Sequence, residues 1–359
     1  MKSISIIPPW PGLHGGNRVF DEIAGFAEWR LLASDRGFDL QTSDLIDPET
    51  AAVLWVVDIG DPGRILPLLH GRRVAGLPSV LQILESPLWR PHSWSRRLHA
   101  QFDAVLTYDP RPTGARYWHY RIPVALQGHD KDVPFSARRT AVMLNTNHLV
   151  GFWSRNRRPG GLRFVASLLG DLLRAPRRAR EDLYAWRWRL ARTAEVMAPE
   201  ALDVGGRGWS GEPLSWFRHY PTTALRRTVE APPHAIGQDA ERAKSAFLGG
   251  YRFVIAAENY RGTRGYISEK IIHPMLAGSV PVYLGEEAIT EVVPAAAFVD
   301  ARQFRTHSQL ITYLQGCPEG EWNAMRQAGR AWLASKSAAT FSGQAFAEKA
   351  TALLEALSP

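Results

Sequence analysis

The chain has a single cysteine, Cys317, in 359 residues, so no intramolecular disulfide can hold it together and a reducing compartment suits it. It also lacks any run near the roughly 18 apolar residues that a membrane span needs. The apolar start of MKSISIIPPWPG is broken by Pro8 and Pro9 too soon for a signal segment. These absences predict a soluble, cytoplasmic protein. Metal-ligand spacing is missing as well. The 11 histidines form no ligand pair, the literal Asp-x-Asp at Asp130 to Asp132 lies in a polar stretch rather than at a strand end, and Asp58 and Asp61 are wrongly spaced. No metal cofactor is expected.

Lysine is scarce too, found only at 2, 131, 244, 270, 336 and 349, so the net charge of +8 rests on arginine. The resulting pI of 9.8 raises nucleic acid or an anionic membrane as a partner. An arginine bias spread over a whole chain more often reflects coding composition than a binding surface, and no nucleic-acid partner is expected. The densest clusters are Arg155, Arg157 and Arg158, then Arg174, Arg177, Arg178 and Arg180. Their plainer reading is a solvated loop and helix face, and their functional reading is peripheral contact with an anionic lipid surface or a phosphorylated acceptor.

What is present is a globular composition, 45% hydrophobic and 22% charged, in a chain long enough for two cores. Strands are predicted at 3–7, 52–57, 79–84 and 103–107, then at 141–145, 202–204, 252–257 and 280–284, alternating with helices such as 182–197. The polar, Pro-containing stretch QGHDKDVPFSARRT at 127–140 separates the two series. This predicts an α/β protein with domains at 1–130 and 141–335, a linker at 131–140, and a C-terminal helix within 336–359. Phe346, Ala350, Leu353, Leu354 and Leu357 give that helix one apolar face.

Residues 251–285, YRFVIAAENYRGTRGYISEKIIHPMLAGSVPVYLG, are the most informative stretch. An apolar run from Tyr251 to Ala257 drops into Glu258 and Asn259, as a buried parallel strand does where its loop begins. Ser268 reads as the cap of a helix with Glu269 and Lys270 in its first turn, Gly278 stops it, and Val280 to Leu284 is the next strand. Free N–H groups and a lysine at a helix start suit a phosphate, although an ordinary βαβ unit with a solvated Glu-Lys pair explains the pattern equally well.

The segment resembles the donor-binding core of the glycosyltransferase family 10 fucosyltransferases, the α1,3/α1,4 enzymes. The resemblance is carried by Glu258-Asn259, Gly265-Tyr266-Ile267-Ser268-Glu269-Lys270, Ala277-Gly278 and Val280-Pro281-Val282-Tyr283-Leu284-Gly285. Further similar patches follow in the family's order, including LQILESP at 81–87, FDAVLTYD at 102–109, LYAWR at 183–187 and LDVGGRGW at 202–209. Without a membrane anchor the chain is more similar to the bacterial members. The resemblance implies a GT-B fold, two Rossmann-like domains with parallel sheets facing a cleft, and an inverting fucosyl transfer from GDP-fucose to a glycan hydroxyl without a metal.

Such a transfer needs a base, positive charge for the departing pyrophosphate, and grips on the nucleoside. Glu85 ends an apolar run and is followed by Ser86-Pro87, which places it at a strand's carboxyl end, and the family's general base matches it there. Read by its residues alone it caps the next segment or pairs with an arginine such as Arg90. Lys270 is the first candidate for the pyrophosphate and Arg187 the second, with Arg189 and Arg192 close enough to replace it. Glu269, Asn259 and Tyr266 are expected to line the same donor pocket. Gly205, Gly206 and Gly208 would let backbone approach the nucleotide or simply form a turn.

The segment departs from the pattern at Ala257, Tyr260, Ser268 and His273, and Pro274 should kink the helix near the phosphate site. The expected product is a bacterial surface polysaccharide or its lipid-linked precursor. The alternatives are a transferase of the same fold using another nucleotide sugar, and a nucleotide-sugar-binding protein without turnover.

Overall fold

The computed structural model describes residues 1–148 and 182–358 except 14, 127, 129, 210–219, 221, 223, 224, 226, 231 and 233–237. The arginine clusters between Arg155 and Arg180 lie outside the described residues. The chain divides into two compact units. The first comprises Met1–Leu126, Thr263–Ser268 and Ala334–Pro359, and the second Gln127–Gly262 and Glu269–Leu333.

The first unit is built on β1 (Lys2–Ile7), β2 (Phe38–Thr42), β3 (Val53–Val57), β4 (Ser79–Gln82), β5 (Ala104–Thr107) and β6 (Tyr117–His119). All neighbours are parallel, in the order β2-β1-β3-β4-β5-β6. The register sets Ile4 beside both Leu40 and Val53, and Trp55 beside Val80. Every residue of β3 is buried, as the unbroken run VLWVV requires of a central parallel strand covered on both faces. The edge strands β2 and β6 escape the sequence reading because they are short and half polar.

The helix Gly343–Leu357 closes this unit's core. Phe346 stacks on Phe26 at 5.4 Å between centroids, Trp29 meets Trp55 at 4.5 Å, and Ala350, Leu353 and Leu354 are fully buried in the same cluster. The apolar stripe of the last helix thus serves the first unit, although it lies more than 200 residues after it in sequence.

The second unit holds β7 (Arg139–Leu144), β8 (Leu202–Gly205), β9 (Thr228–Val229), β10 (Tyr251–Ala257), β11 (Val280–Leu284) and β12 (Val299–Asp300). They form a second parallel sheet in the order β12-β11-β10-β7-β8-β9. Its direction reverses between β7 and β10, the arrangement of a dinucleotide-binding sheet. The polar stretch with Asp130 and Asp132 is held to this unit by ion pairs, Arg326 reaching Asp130 at 2.8 Å and Asp132 at 2.5 Å. No helix among the described residues is long and apolar enough to cross a membrane.

Candidate functional site

Each sheet carries its candidate chemistry at the carboxyl end of the strands beside its switch point, where open α/β sheets collect functional groups. In the second unit β10 is followed directly by Glu258, which is completely buried. The helix Glu269–Leu276 begins after Ser268, as the sequence implies, and runs through Pro274 to its end two residues later. Lys270 Nζ lies 3.5 Å from Glu258 Oε2 and 3.2 Å from Glu269 Oε1. Burial alone would lower the lysine pKa, but the charges of Glu269 and Glu258 outweigh it and hold the ammonium above its usual range. Glu269 shows the converse: partial desolvation opposes its ionisation, yet Lys270 and then Lys244 push its carboxyl below the usual range.

Arg187 sits on the helix Tyr184–Met197, is buried, and donates from Nη2 to the Ala257 carbonyl at 2.5 Å and to Asn259 Oδ1 at 2.9 Å. Its guanidinium also lies 4.7 Å from the Tyr184 ring centroid. Of the three arginines weighed from the sequence, Arg187 is the buried one that turns toward β10, whereas Arg189 is exposed and Arg192 half-buried. Asn259 therefore orients the guanidinium. Ala257 is fully buried in the apolar core, and its carbonyl is what meets Arg187.

Two glycines of the motif have steric reasons. Gly285 leaves room for Glu258, since a Cβ there would stand 2.5 Å from the glutamate Cγ and 2.6 Å from the Tyr283 hydroxyl. Gly265 takes φ +79°, and a Cβ on it would come within 2.2 Å of the Tyr108 carbonyl. Tyr266, grouped in the sequence reading with the donor pocket, packs in the first unit with its ring 5.4 Å from that of Tyr108. Gly206 is explained by close approach to the Asn145 carbonyl, 2.5 Å from a hypothetical Cβ.

In the first unit, β4 stops at Gln82 and the chain turns to bring Glu85 into a half-buried loop position. Its carbonyl accepts from Trp94 Nε1 at 3.0 Å and from the Tyr108 hydroxyl at 3.2 Å. Its N–H donates to Asp58 Oδ2 at 2.9 Å. Asp58, buried at the end of β3, is pushed up to about 7 by desolvation and then by the charge of Glu85. From the sequence, Asp58 is wrongly spaced for a metal ligand and carries no other role. The available signal was a five-residue apolar run ending in an acid, the same pattern that marks Glu85.

Residues 230–323 match the family model described as Glycosyltransferase family 10 (fucosyltransferase) C-term. An α-(1,4)-fucosyltransferase of Arabidopsis thaliana is 30% identical over 84 residues, which cover 22% of this chain and 21% of that protein. The chain thus matches about a fifth of that relative's length. A crystal structure of an α1,3-fucosyltransferase with GDP superposes with a TM-score of 0.52 at 13% identity, covering 98% of this chain and 90% of that one. The structure of Anabaena HepE in complex with UDP-glucose gives 0.54 at 10% identity and covers 99% of both chains. Likeness at such identities speaks to fold, and the fold is that of GT-B glycosyltransferases, two parallel-sheet α/β units. The matched model falls on β10, the Glu269–Leu276 helix and β11, so it is this stretch of the second unit that is similar to the C-terminal part of glycosyltransferase family 10.

Proposed function

We propose that this protein is an inverting, metal-independent α-L-fucosyltransferase that moves fucose from GDP-fucose to a glycan hydroxyl, in the synthesis of a bacterial surface polysaccharide. The observation that carries the reading is the pairing of Lys270 with Glu258 and Glu269 at a helix start, which keeps the ammonium charged despite partial burial. A fully protonated lysine and an oriented guanidinium are what a departing pyrophosphate requires.

In this reading Glu85 takes the proton of the acceptor hydroxyl as its oxygen attacks the anomeric carbon. The bond from that carbon to the β-phosphate oxygen breaks, and the electron pair leaves with GDP. Lys270 and Arg187 balance the charge that develops there, doing what a divalent metal does in other transferases. Asn259 keeps Arg187 in place, and Glu269, 42% exposed, is available to accept from sugar hydroxyls.

A different nucleotide sugar is the second reading, favoured by the replacement of the family's residues at Ala257 and Tyr260. Thermal unfolding with GDP, GDP-fucose, GDP-mannose, UDP and UDP-glucose, without added metal, tests both. A ligand at 100 times its dissociation constant adds about 2.7 kcal/mol. Stabilisation by GDP and GDP-fucose that Lys270→Ala abolishes is the expected result. Stabilisation by UDP compounds alone would transfer the proposal to another donor.

A further inference from the structure

We propose that Asp58 is a positioning residue for Glu85, a second, buried carboxylate that fixes the backbone of the base and through its charge bears on the base's proton affinity. This rests on the reading of Glu85 as the general base.

The geometry comes first. Asp58 directly follows the buried strand β3, beside the point where the strand order reverses between β1 and β3. Asp58 has φ +57°, a left-handed conformation that few residues other than glycine adopt, and only 3% of it is exposed. Its Oδ2 accepts the Glu85 N–H at 2.9 Å and its Oδ1 the Leu84 N–H at 3.4 Å, so an acid 27 residues earlier in the chain determines where Glu85 leaves the sheet. Ser93 bonds the same carboxyl, and Ser93 is itself anchored, its Oγ accepting the Ile59 N–H at 2.7 Å and its carbonyl meeting His99 Nε2 at 2.7 Å. Main-chain capping alone would be served by asparagine. A carboxylate at this place also brings a charge.

The groups that face Asp58 are Glu85 and Arg90 from the loop after β4, Tyr108 after β5, and Tyr120 after β6. Only Arg90 among them is cationic, and its influence on Asp58 is the weakest of those acting on it. Desolvation and Glu85 together keep a proton on Asp58 up to about pH 7. Repulsion between two carboxylates is reciprocal. Once Asp58 ionises, Glu85 holds an added proton more tightly and is the stronger base for the acceptor hydroxyl. No proton passes to Asp58 during transfer.

The test compares the wild type with Asp58→Asn, which keeps an acceptor and tolerates the left-handed backbone, and with Glu85→Gln and the double variant. Two quantities are read from pH 5 to 8.5: the thermal midpoint, and kcat/KM for transfer from GDP-fucose to a glycan that supports turnover. An acid whose folded pKa is raised contributes stability that is present at low pH and lost as the pH rises through the folded value. The midpoint of Asp58→Asn relative to wild type should therefore rise between pH 5 and 7 and then level off. Glu85→Gln should move that transition to lower pH. The ratio of wild-type to Asp58→Asn kcat/KM should grow about three- to tenfold from pH 6 to 8. Asp58→Gly, which suits the backbone but deletes the acceptor, should lower kcat/KM at every pH. A midpoint difference independent of pH, or pH profiles of wild type and Asp58→Asn that superimpose, overturns the proposal. Retention of full activity by Glu85→Gln overturns the base reading instead, and leaves the Asp58 titration visible in the midpoints.

Discussion

In the first unit a buried carboxylate, Asp58, directly follows strand β3 next to the sheet's switch point. In the second, a buried carboxylate, Glu258, directly follows strand β10 next to its own. Their surroundings differ in the sign of the nearest charge. Asp58 faces another carboxylate, and its pKa rises toward neutrality. Glu258 faces Lys270 at 3.5 Å, and the pair supports a charged lysine. Burial penalises both acids alike, so the partner carried by the following loop or helix decides what each strand end can do. One unit sets its buried strand-end acid against another carboxylate, and the other sets its own against a cation.

The comparison can be broken most directly on the acidic side. Glu85→Gln should reduce kcat by a factor on the order of 10²–10⁴, the span of general-base catalysis, with GDP-fucose binding retained. Calorimetric titration beside steady-state rates checks it, and a loss of binding with kcat intact would move Glu85 out of the base role. On the cationic side, Lys270→Ala should cost about 10²–10³ in kcat and remove stabilisation by GDP. An unchanged thermal response to GDP would separate Lys270 from the phosphate.

Smaller effects sharpen the contrast. Gly285→Ala would drive a methyl against Glu258 and Tyr283, and overpacking of this kind should cost about 1–3 kcal/mol in denaturant unfolding. If stability is unchanged, Glu258 is free to move and is not locked against Lys270. The smallest effect concerns acid. His273, one turn after Lys270, is buried 3.7 Å from Glu241 and pushed down to about 3 by desolvation, then by Lys244. A histidine kept neutral by the fold contributes stability that is present above its ordinary value near 6.5 and is lost as the pH falls toward 3. His273→Gln should therefore lose about 1 kcal/mol less than wild type between pH 7 and 5, measured by urea unfolding at both values.

Much of the second unit's chemistry is legible in the sequence because it is local. Tyr251 to Gly285 contains strand end, cap, cation and next strand within one βαβ unit, and hydrophobic periodicity marks each boundary. Arg187 reads from the sequence as the second candidate for the pyrophosphate, with Arg189 and Arg192 close enough to replace it. Its selection depends on which helix face turns toward the Ala257 carbonyl, 70 residues away. VLWVV followed by Asp58 repeats the form of LQIL followed by Glu85, yet the sequence gives Asp58 no role, because an apolar run marks a strand end without naming its neighbour in the sheet.

The sequence by itself determined that this is an α/β protein of alternating strands and helices, that Glu85 follows one apolar run and Glu258 another, and that a lysine opens the helix after Ser268. These follow from periodicity, capping and burial preferences, which act over a few residues. Only the tertiary structure decided that β3 lies beside β4, so that Asp58 holds the Glu85 N–H, that Arg187 closes on the end of β10, and that the last helix completes the first unit's core. Crossover connections bring strand ends together from distant parts of a chain, and no local pattern records which ends will meet.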